Sequence, residues 1–147
     1  MKKVDLLIVC SPGGHFREAK SLIEGLEGVK FCFAMHLPSP DNQKDMGDLL
    51  VTVPHAERDI RIVLQYIYAL YVIMRTRPKV ILSTGAMIGV TFGFIGKFFG
   101  CKFIFVESPT RVENLSLSGR ICYYLADTFY VRYKTLKIKY EKAIYCE

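Results

Sequence analysis

The chain's 147 residues suffice for one domain, which at this length buries roughly 68–70% of its unfolded surface, and fall short of two α/β domains of ordinary size. With 51% hydrophobic residues and no low-complexity tract, a disordered chain is excluded. The net charge of +6 points to an anionic partner, whether phosphate, nucleic acid or an acidic membrane surface, or else to a basic surface that serves solubility.

Residues 4–10 are apolar apart from Asp5, as in a parallel strand buried on both faces. The opening MKKVDLLIVCSPGG puts charge ahead of an apolar run, but Asp5 interrupts it and the run is too short for a secretory signal. Residues 16–26 follow as a helix ending near Gly28, and 30–35 as a second strand. Residues 38–47, with Pro38, Pro40, Asp41 and Asn42, read as a loop, and 49–53 as a short third strand. Asp59 can cap a long helix that runs to about Arg77 and is stopped by Pro78. Residues 80–83 form a fourth strand, and Thr84-Gly85 turns the chain into a helix over 88–99 that Gly100 ends. A fifth strand, 102–106, runs into a loop opened by Glu107, Ser108 and Pro109. Residues 118–126 are a helix and 128–131 a sixth strand, while the tail beyond Tyr133 is basic and fits no single element. Strands alternating with helices predict right-handed βαβ units: one α/β, Rossmann-like domain over residues 1–147 with a mostly parallel sheet.

In such sheets ligands bind outside the carboxyl ends of the strands. Three loops fall there: Ser11-Pro12-Gly13-Gly14-His15, Ser83-Thr84-Gly85-Ala86 and Glu107-Ser108-Pro109-Thr110-Arg111. Glycines let the backbone approach a ligand, and a helix starting at His15 or Phe16 aims unpaired N–H groups at it, which suits a phosphate. The loop is neither a Walker loop nor G-x-G-x-x-G, and a tight turn explains its glycines equally well. The second strand ends Phe33-Ala34-Met35-His36, without the acid that grips an NAD ribose.

His15 can serve as a general base or donate to an anion, or simply bond a neighbouring loop. Glu107 is a sugar-hydroxyl acceptor, a base, or the partner of Arg111 in a structural ion pair; residue types favour the pair. Ser83 and Thr84 can bind hydroxyls or cap the next helix. His36 and His55 have no motif around them, and three histidines so scattered make no metal site. Cys10, Cys32, Cys101, Cys122 and Cys146 form no C-x-x-C pair; an odd count points to reduced thiols and the cytoplasm.

Two helices are unusually greasy. IVLQYIYALYVIM has only Gln65 as a strongly polar residue and is flanked by Arg58, Arg61, Arg75 and Arg77; MIGVTFGFIGKFFG has one charge, Lys97. Both fall short of the ~20 residues that span a bilayer, so burial is expected for most of their surface, with one face open to lipid or a subunit. The C-terminal third interleaves Arg120, Arg132, Lys134, Lys137, Lys139 and Lys142 with tyrosines. No nucleic-acid motif accompanies them, and the greasy helices fit a lipid surface better.

VCSPGGHFREAKSL, ILSTGAMIGV and FVESPTRVENLSLSGRICYYLADTFYVRY stand in an order and spacing that resembles the acceptor-side subunit of split GT-B glycosyltransferases. That group includes the asparagine-linked glycosylation protein fourteen family and the PssD/CpsF-like proteins of bacterial capsule and exopolysaccharide assembly; the GGH loop is similar to the glycine-rich loop of MurG. The resemblance covers nearly the whole chain. It implies the N-terminal half of a GT-B fold, paired with a separate donor-binding subunit. The two together would transfer a sugar, with inversion, from a UDP-sugar at the shared cleft to a lipid-pyrophosphate-linked saccharide acceptor. The setting would be the cytoplasmic face of the cell membrane, with the chain held peripherally.

By position, the resemblance assigns Gly13, Gly14 and His15 to the acceptor and diphosphate region, and Thr84 and Gly85 to the same cleft. Glu107, Ser108 and Arg111 match the family's E-S-x-x-R segment, and His15 or Glu107 would supply the catalytic base. No cofactor or metal is implied, and no nucleic acid. Arg132-Tyr133 departs from the family's frequent Gln-Trp, and the chain starts at its first strand as bacterial members do. Two rival expectations stand beside this one: a noncatalytic scaffold that anchors and activates a partner transferase, and a standalone nucleotide-binding regulatory domain.

Overall fold

The computed structural model describes residues 3–36, 50–53 and 61–146. Seven strands form one all-parallel sheet: β1 (Leu6–Val9), β2 (Phe31–Met35), β3 (Leu50–Thr52), β4 (Val80–Ser83), β5 (Lys102–Val106), β6 (Thr128–Val131) and β7 (Ile144–Tyr145). Among the described residues five helices connect them: α1 (Gly14–Ile23), α2 (Arg61–Thr76), α3 (Ala86–Phe98), α4 (Leu117–Leu125) and α5 (Lys134–Lys139). The fold is therefore the expected Rossmann-like α/β domain. The reading of 38–47, the Asp59 cap and His55 lie outside the described residues.

The strand order is β3-β2-β1-β4-β5-β6-β7. β1 is hydrogen-bonded on both sides, with Leu6 opposite Phe31 on β2 and opposite Val80 on β4. A central strand must bury both faces, and LLIV is buried throughout. Its residues divide by parity. Leu6 and Ile8 join Phe16 and Ala19 of α1, with Phe33, Met35, Leu82 and Val106, in one core. Leu7 and Val9 join Ala69, Val72 and Ile73 of α2, Ile88 and Phe92 of α3, Cys122 of α4 and Leu136 of α5 in the other. One described helix thus lies on one side of the sheet and four on the other.

α3 lies close to the sheet because its inward positions are glycines. A Cβ on Gly89 would meet Ser83, one on Gly93 the Phe103 ring, and one on Gly96 Ile81. Ile88 and Phe92 still pack in the core, but Phe94 and Phe98 point outward: Phe98 is 75% exposed and Phe94 is exposed beside it. α2 shows the same inversion. Gln65, its one strongly polar position in the greasy run, is 1% exposed and accepts a hydrogen bond from the Thr91 hydroxyl of α3 at 3.1 Å, whereas Ile67 is 59% exposed. Val63, Leu64, Leu70, Tyr71 and Met74 of α2, and Leu117, Ile121 and Tyr124 of α4, are exposed as well. α3 packs against both neighbours, and Tyr66 meets Phe94 edge to face across the α2–α3 seam. Monomers in water rarely expose apolar patches of more than a few hundred Å².

Boundaries moved where glycine governs. α1 starts at Gly14, because Gly13 (φ 93) is its N-cap, and stops at Ile23 ahead of Gly25 (φ 89) and Gly28 (φ 73). α3 begins at Ala86, two residues before the expected start. The basic tail, which fitted no element, forms α5 and β7. Tyr133 donates from its hydroxyl to the Pro109 carbonyl (2.8 Å) and Thr135 to the Val112 carbonyl (2.6 Å), while Lys139 donates to Asn114 (2.5 Å). The tail is a strap over the loop that follows β5.

Candidate active site

The strand order reverses between β1 and β4, so the loops leaving these two strands diverge to opposite sides of the sheet and leave a crevice between them. The first two expected loops meet there. The His15 Nδ1–H donates to the Thr84 carbonyl at 2.7 Å, and the Thr84 hydroxyl donates to the His15 carbonyl at 2.8 Å. A carbonyl only accepts, so this contact assigns a proton to Nδ1, and among the described residues no hydrogen bond engages Nε2. The half-buried imidazole lies over Gly85 (φ 133): a Cβ there would come within 2.5 Å of His15 Cε1 and 2.8 Å of Nδ1. Ala86 follows in a left-handed conformation (φ 64), so the turn carries backbone strain where it supports the ring.

Gly13 and Gly14 face open space, with nothing within 4 Å of a Cβ at either. No side chain caps α1, and its first-turn N–H groups point out of the helix end. That arrangement suits an anion at the crevice. Ser83 and Thr84 do not cap α3, whose N-cap is Gly85 without a side-chain bond; the Ser83 hydroxyl instead accepts the Gly85 N–H at 3.3 Å. Cys10, just ahead of the loop, is a packing group, its thiol pushed up to about 12 by burial.

The third loop closes upon itself. Glu107 is fully buried, and its carboxyl accepts the Ser108 N–H (3.0 Å), the Ser116 N–H (3.1 Å) and the Ser116 hydroxyl (2.9 Å). The Ser116 oxygen in turn accepts the Gly119 N–H at 2.9 Å and caps α4. Any Cβ on Gly119 would collide with Glu107. This explains the spacing of E-S…S-L-S-G. The expected ion pair with Arg111 is not what holds Glu107: Arg111 is exposed, and its backbone N–H bonds the Ser108 carbonyl.

Sequence reasoning passed over Glu18. It sits one turn beyond His15 on α1, buried, and accepts from Arg132 Nε at 3.2 Å across 114 residues of chain. Its Oε2 is buried with no hydrogen-bond partner among the described residues. Burial pushes the Glu18 carboxyl above its ordinary range; Arg132 draws it back, and the charge of nearby Glu107 adds to the rise. The available signal was the spacing His15–Glu18, which places an acid on the same side of the helix as the histidine. His36 bonds the Val53 carbonyl at 3.3 Å, away from the crevice. No group of metal-ligating side chains occurs among the described residues.

This is the Rossmann-like α/β architecture of one half of a GT-B-type fold. A UDP-GlcNAc 2-epimerase from Methanocaldococcus jannaschii superimposes with a TM-score of 0.71 over 99% of this chain and 45% of its own, at 12% identity, a likeness of fold. Residues 51–147 match the family described as "Oligosaccharide biosynthesis protein Alg14 like", and the chain belongs to that family. Among relatives, the UDP-N-acetylglucosamine transferase subunit ALG14 of Rattus norvegicus is 55% identical over 42 residues, or 29% of this chain and 19% of that protein. The Mus musculus protein of the same name is 40% identical over 80 residues, 50% of this chain and 36% of that one. The Candida albicans protein is 30% identical over 170 positions, covering 99% of this chain and 78% of its own length. The matched stretches thus span well under half of the two mammalian relatives.

Proposed function

We propose that this chain is the acceptor- and membrane-binding subunit of a two-chain glycosyltransferase that moves a sugar from a UDP-sugar to a lipid-pyrophosphate-linked saccharide. The observation that carries the reading is the His15–Thr84 junction: an imidazole with Nδ1 spent on a fixed carbonyl and Nε2 uncommitted, beside an uncapped helix end. In the reaction the acceptor hydroxyl attacks the anomeric carbon as the bond from that carbon to the UDP oxygen breaks. His15 Nε2 takes the hydroxyl proton, and UDP leaves with the bonding electrons. The α1 N-terminus, with Gly13 and Gly14, holds the acceptor diphosphate. Donor contacts come from a separate subunit, a reading supported by relatives that are named as subunits of a UDP-N-acetylglucosamine transferase. Relatives named for N-acetylglucosamine transfer favour UDP-N-acetylglucosamine as donor. The family match supports oligosaccharide biosynthesis as the setting, and capsule or exopolysaccharide assembly is the particular form of it proposed for this chain.

Glu107 contributes by holding Ser108 and Ser116 in place, which sets the loop that carries Arg111 toward the diphosphate. His15 is the better base of the two, since the Glu107 oxygens already accept three donors. The exposed faces of α2, α3 and α4 lie against the cytoplasmic membrane surface. No described helix is long and apolar enough to cross it. Met87, exposed in the first turn of α3, follows directly on the Gly85 turn, so the apolar face begins at the crevice where a lipid-linked acceptor is needed.

The test is turnover of UDP-N-acetylglucosamine on a prenyl-pyrophosphate saccharide, by this chain alone and with the donor subunit. Turnover is expected from the pair only. Full activity of the pair with His15→Ala would move the chain to the scaffold role.

A further inference from the structure

At the opposite end of the sheet from His15 lies a cavity of ≈ 380 Å³, lined by Ile73 and Met74 of α2, Arg77 and Pro78 of the turn that follows, and Phe99 and Cys101 after α3. Its walls mix polar and apolar surface in about equal parts, and Arg77 is the one charged residue among them. Nothing acidic faces that guanidinium from the lining. Among the described residues it has no ion pair or side-chain hydrogen bond; only its backbone is engaged, the N–H donating to the Ile73 carbonyl at 2.8 Å. Three nearby cations are otherwise occupied. Arg75 lies over the Tyr71 ring at 5.5 Å, Lys79 pairs with Asp5 at 2.8 Å, and Lys97 with Asp127 at 2.9 Å.

The backbone of Arg77 is unusual too. It follows the last turn of α2 with φ 44, the left-handed position that glycine normally takes after a helix, and it precedes a proline. Glycine would adopt this turn without strain, so the arginine is held there against conformational preference. Met74 and Phe99, at the mouth, belong to the exposed apolar face of α2 and α3. The cavity is therefore a charged recess at the edge of a greasy surface, remote from the crevice.

We propose that this recess is a binding site for an anionic phospholipid. The Arg77 guanidinium takes the headgroup phosphate through its paired N–H donors. Ile73, Met74 and Phe99 cover the first methylenes of an acyl chain. The proposal rests on the membrane reading of the α2–α3 face, and adds to it one stoichiometric lipid at a fixed place, far enough from His15 to leave the crevice to the acceptor.

The experiment is vesicle co-sedimentation of the full chain with phosphatidylcholine alone and with phosphatidylcholine plus phosphatidylglycerol. It compares the native protein, Arg77→Gly, Arg77→Asn and the charge-matched control Arg75→Gln, with thermal unfolding measured in parallel. A diffuse basic surface contributes about 1 kcal/mol per charge, or about fivefold. Arg77→Gly is expected to lower affinity for the phosphatidylglycerol vesicles by more than about tenfold, and Arg75→Gln by no more than about fivefold, while the melting temperature of Arg77→Gly is unchanged or higher. Arg77→Asn, which also tolerates the left-handed turn, should behave like the glycine variant. Equal losses from the two arginines, or undiminished binding by Arg77→Gly, overturns the site while leaving the membrane reading intact. Native protein that sediments with neither vesicle overturns the membrane reading itself. Titration with inorganic phosphate separates the two sources of the anion: Arg77-dependent binding of phosphate as tight as that of the vesicles would assign the recess to a free anion and reject the lipid.

Discussion

α1 and α2 pack on opposite faces of the same sheet and solve opposite problems. α1 turns Phe16 and Ala19 inward and leaves Arg17, Lys20, Ser21 and Glu24 in solvent, the usual order for a helix at a water surface. α2 buries Gln65 and exposes Leu64, Ile67 and Met74. Both helices are stabilised by the apolar side they bury, so the contrast lies in what their outer sides meet. One presents a polar outer side and carries the imidazole; the other presents an apolar outer side, which the proposed function sets against a membrane, and carries no candidate chemistry. The two halves of the proposed function, proton transfer and delivery of a lipid-borne substrate, should therefore be separable by mutation.

The largest expected effect is on the water side. His15→Ala in the assembled enzyme should lower kcat by about 10²–10⁴-fold, the range for removal of a general base, without changing vesicle binding. A loss of vesicle binding in that variant would break the division between the helices. On the other side, Ile67→Glu should weaken vesicle association by roughly 30–100-fold, the loss of one buried large side chain, and leave turnover of a short-chain, water-soluble acceptor unchanged. Next comes Gly85→Ala, which adds a Cβ against the His15 ring in a backbone region closed to other residues. It should cost at least about 2 kcal/mol in urea unfolding and lower activity together with stability.

Glu18→Gln sharpens the comparison within α1. The Glu18 carboxyl titrates above its ordinary value in the folded chain, so the folded state holds that proton more tightly. Stability should then fall as pH rises from the ordinary carboxyl range through the raised one, and the glutamine variant should lack that slope in unfolding curves taken across pH. The smallest effect is expected from Gln65→Leu. Thr91 keeps a second acceptor in the Met87 carbonyl at 3.3 Å, so stability should change by no more than about 1 kcal/mol. A larger loss would mean that the buried amide, not the apolar seam, holds α2 to α3.

The central strands were legible because a parallel strand buried on both faces has to be apolar at every position, and 80–83 and 102–106 coincide with β4 and β5. Convergence of the first two loops followed from topology alone. What composition could not supply was pairing. Glu107 and Arg111 look like partners by charge, yet backbone and hydroxyl donors of Ser108 and Ser116 reach the carboxyl first, since a tight loop offers N–H groups at no further entropic cost. Glu18 and Arg132 meet only through the tertiary fold, 114 residues apart in the chain. β7 has two residues and exists by pairing with β6, and α5 is secured through the loop it straps, so neither leaves a periodic trace in the sequence.

The contact of His15 with Gly85 also constrains how this chain can vary. While an imidazole stands at 15, every alternative at 85 is sterically barred, and a chain that first lost the imidazole could then accept a side chain opposite it and close the way back. The two positions form a one-way gate: drift through it would close off the proposed chemistry for good, and a lineage that retains histidine and glycine together displays a record of uninterrupted selection on the pair.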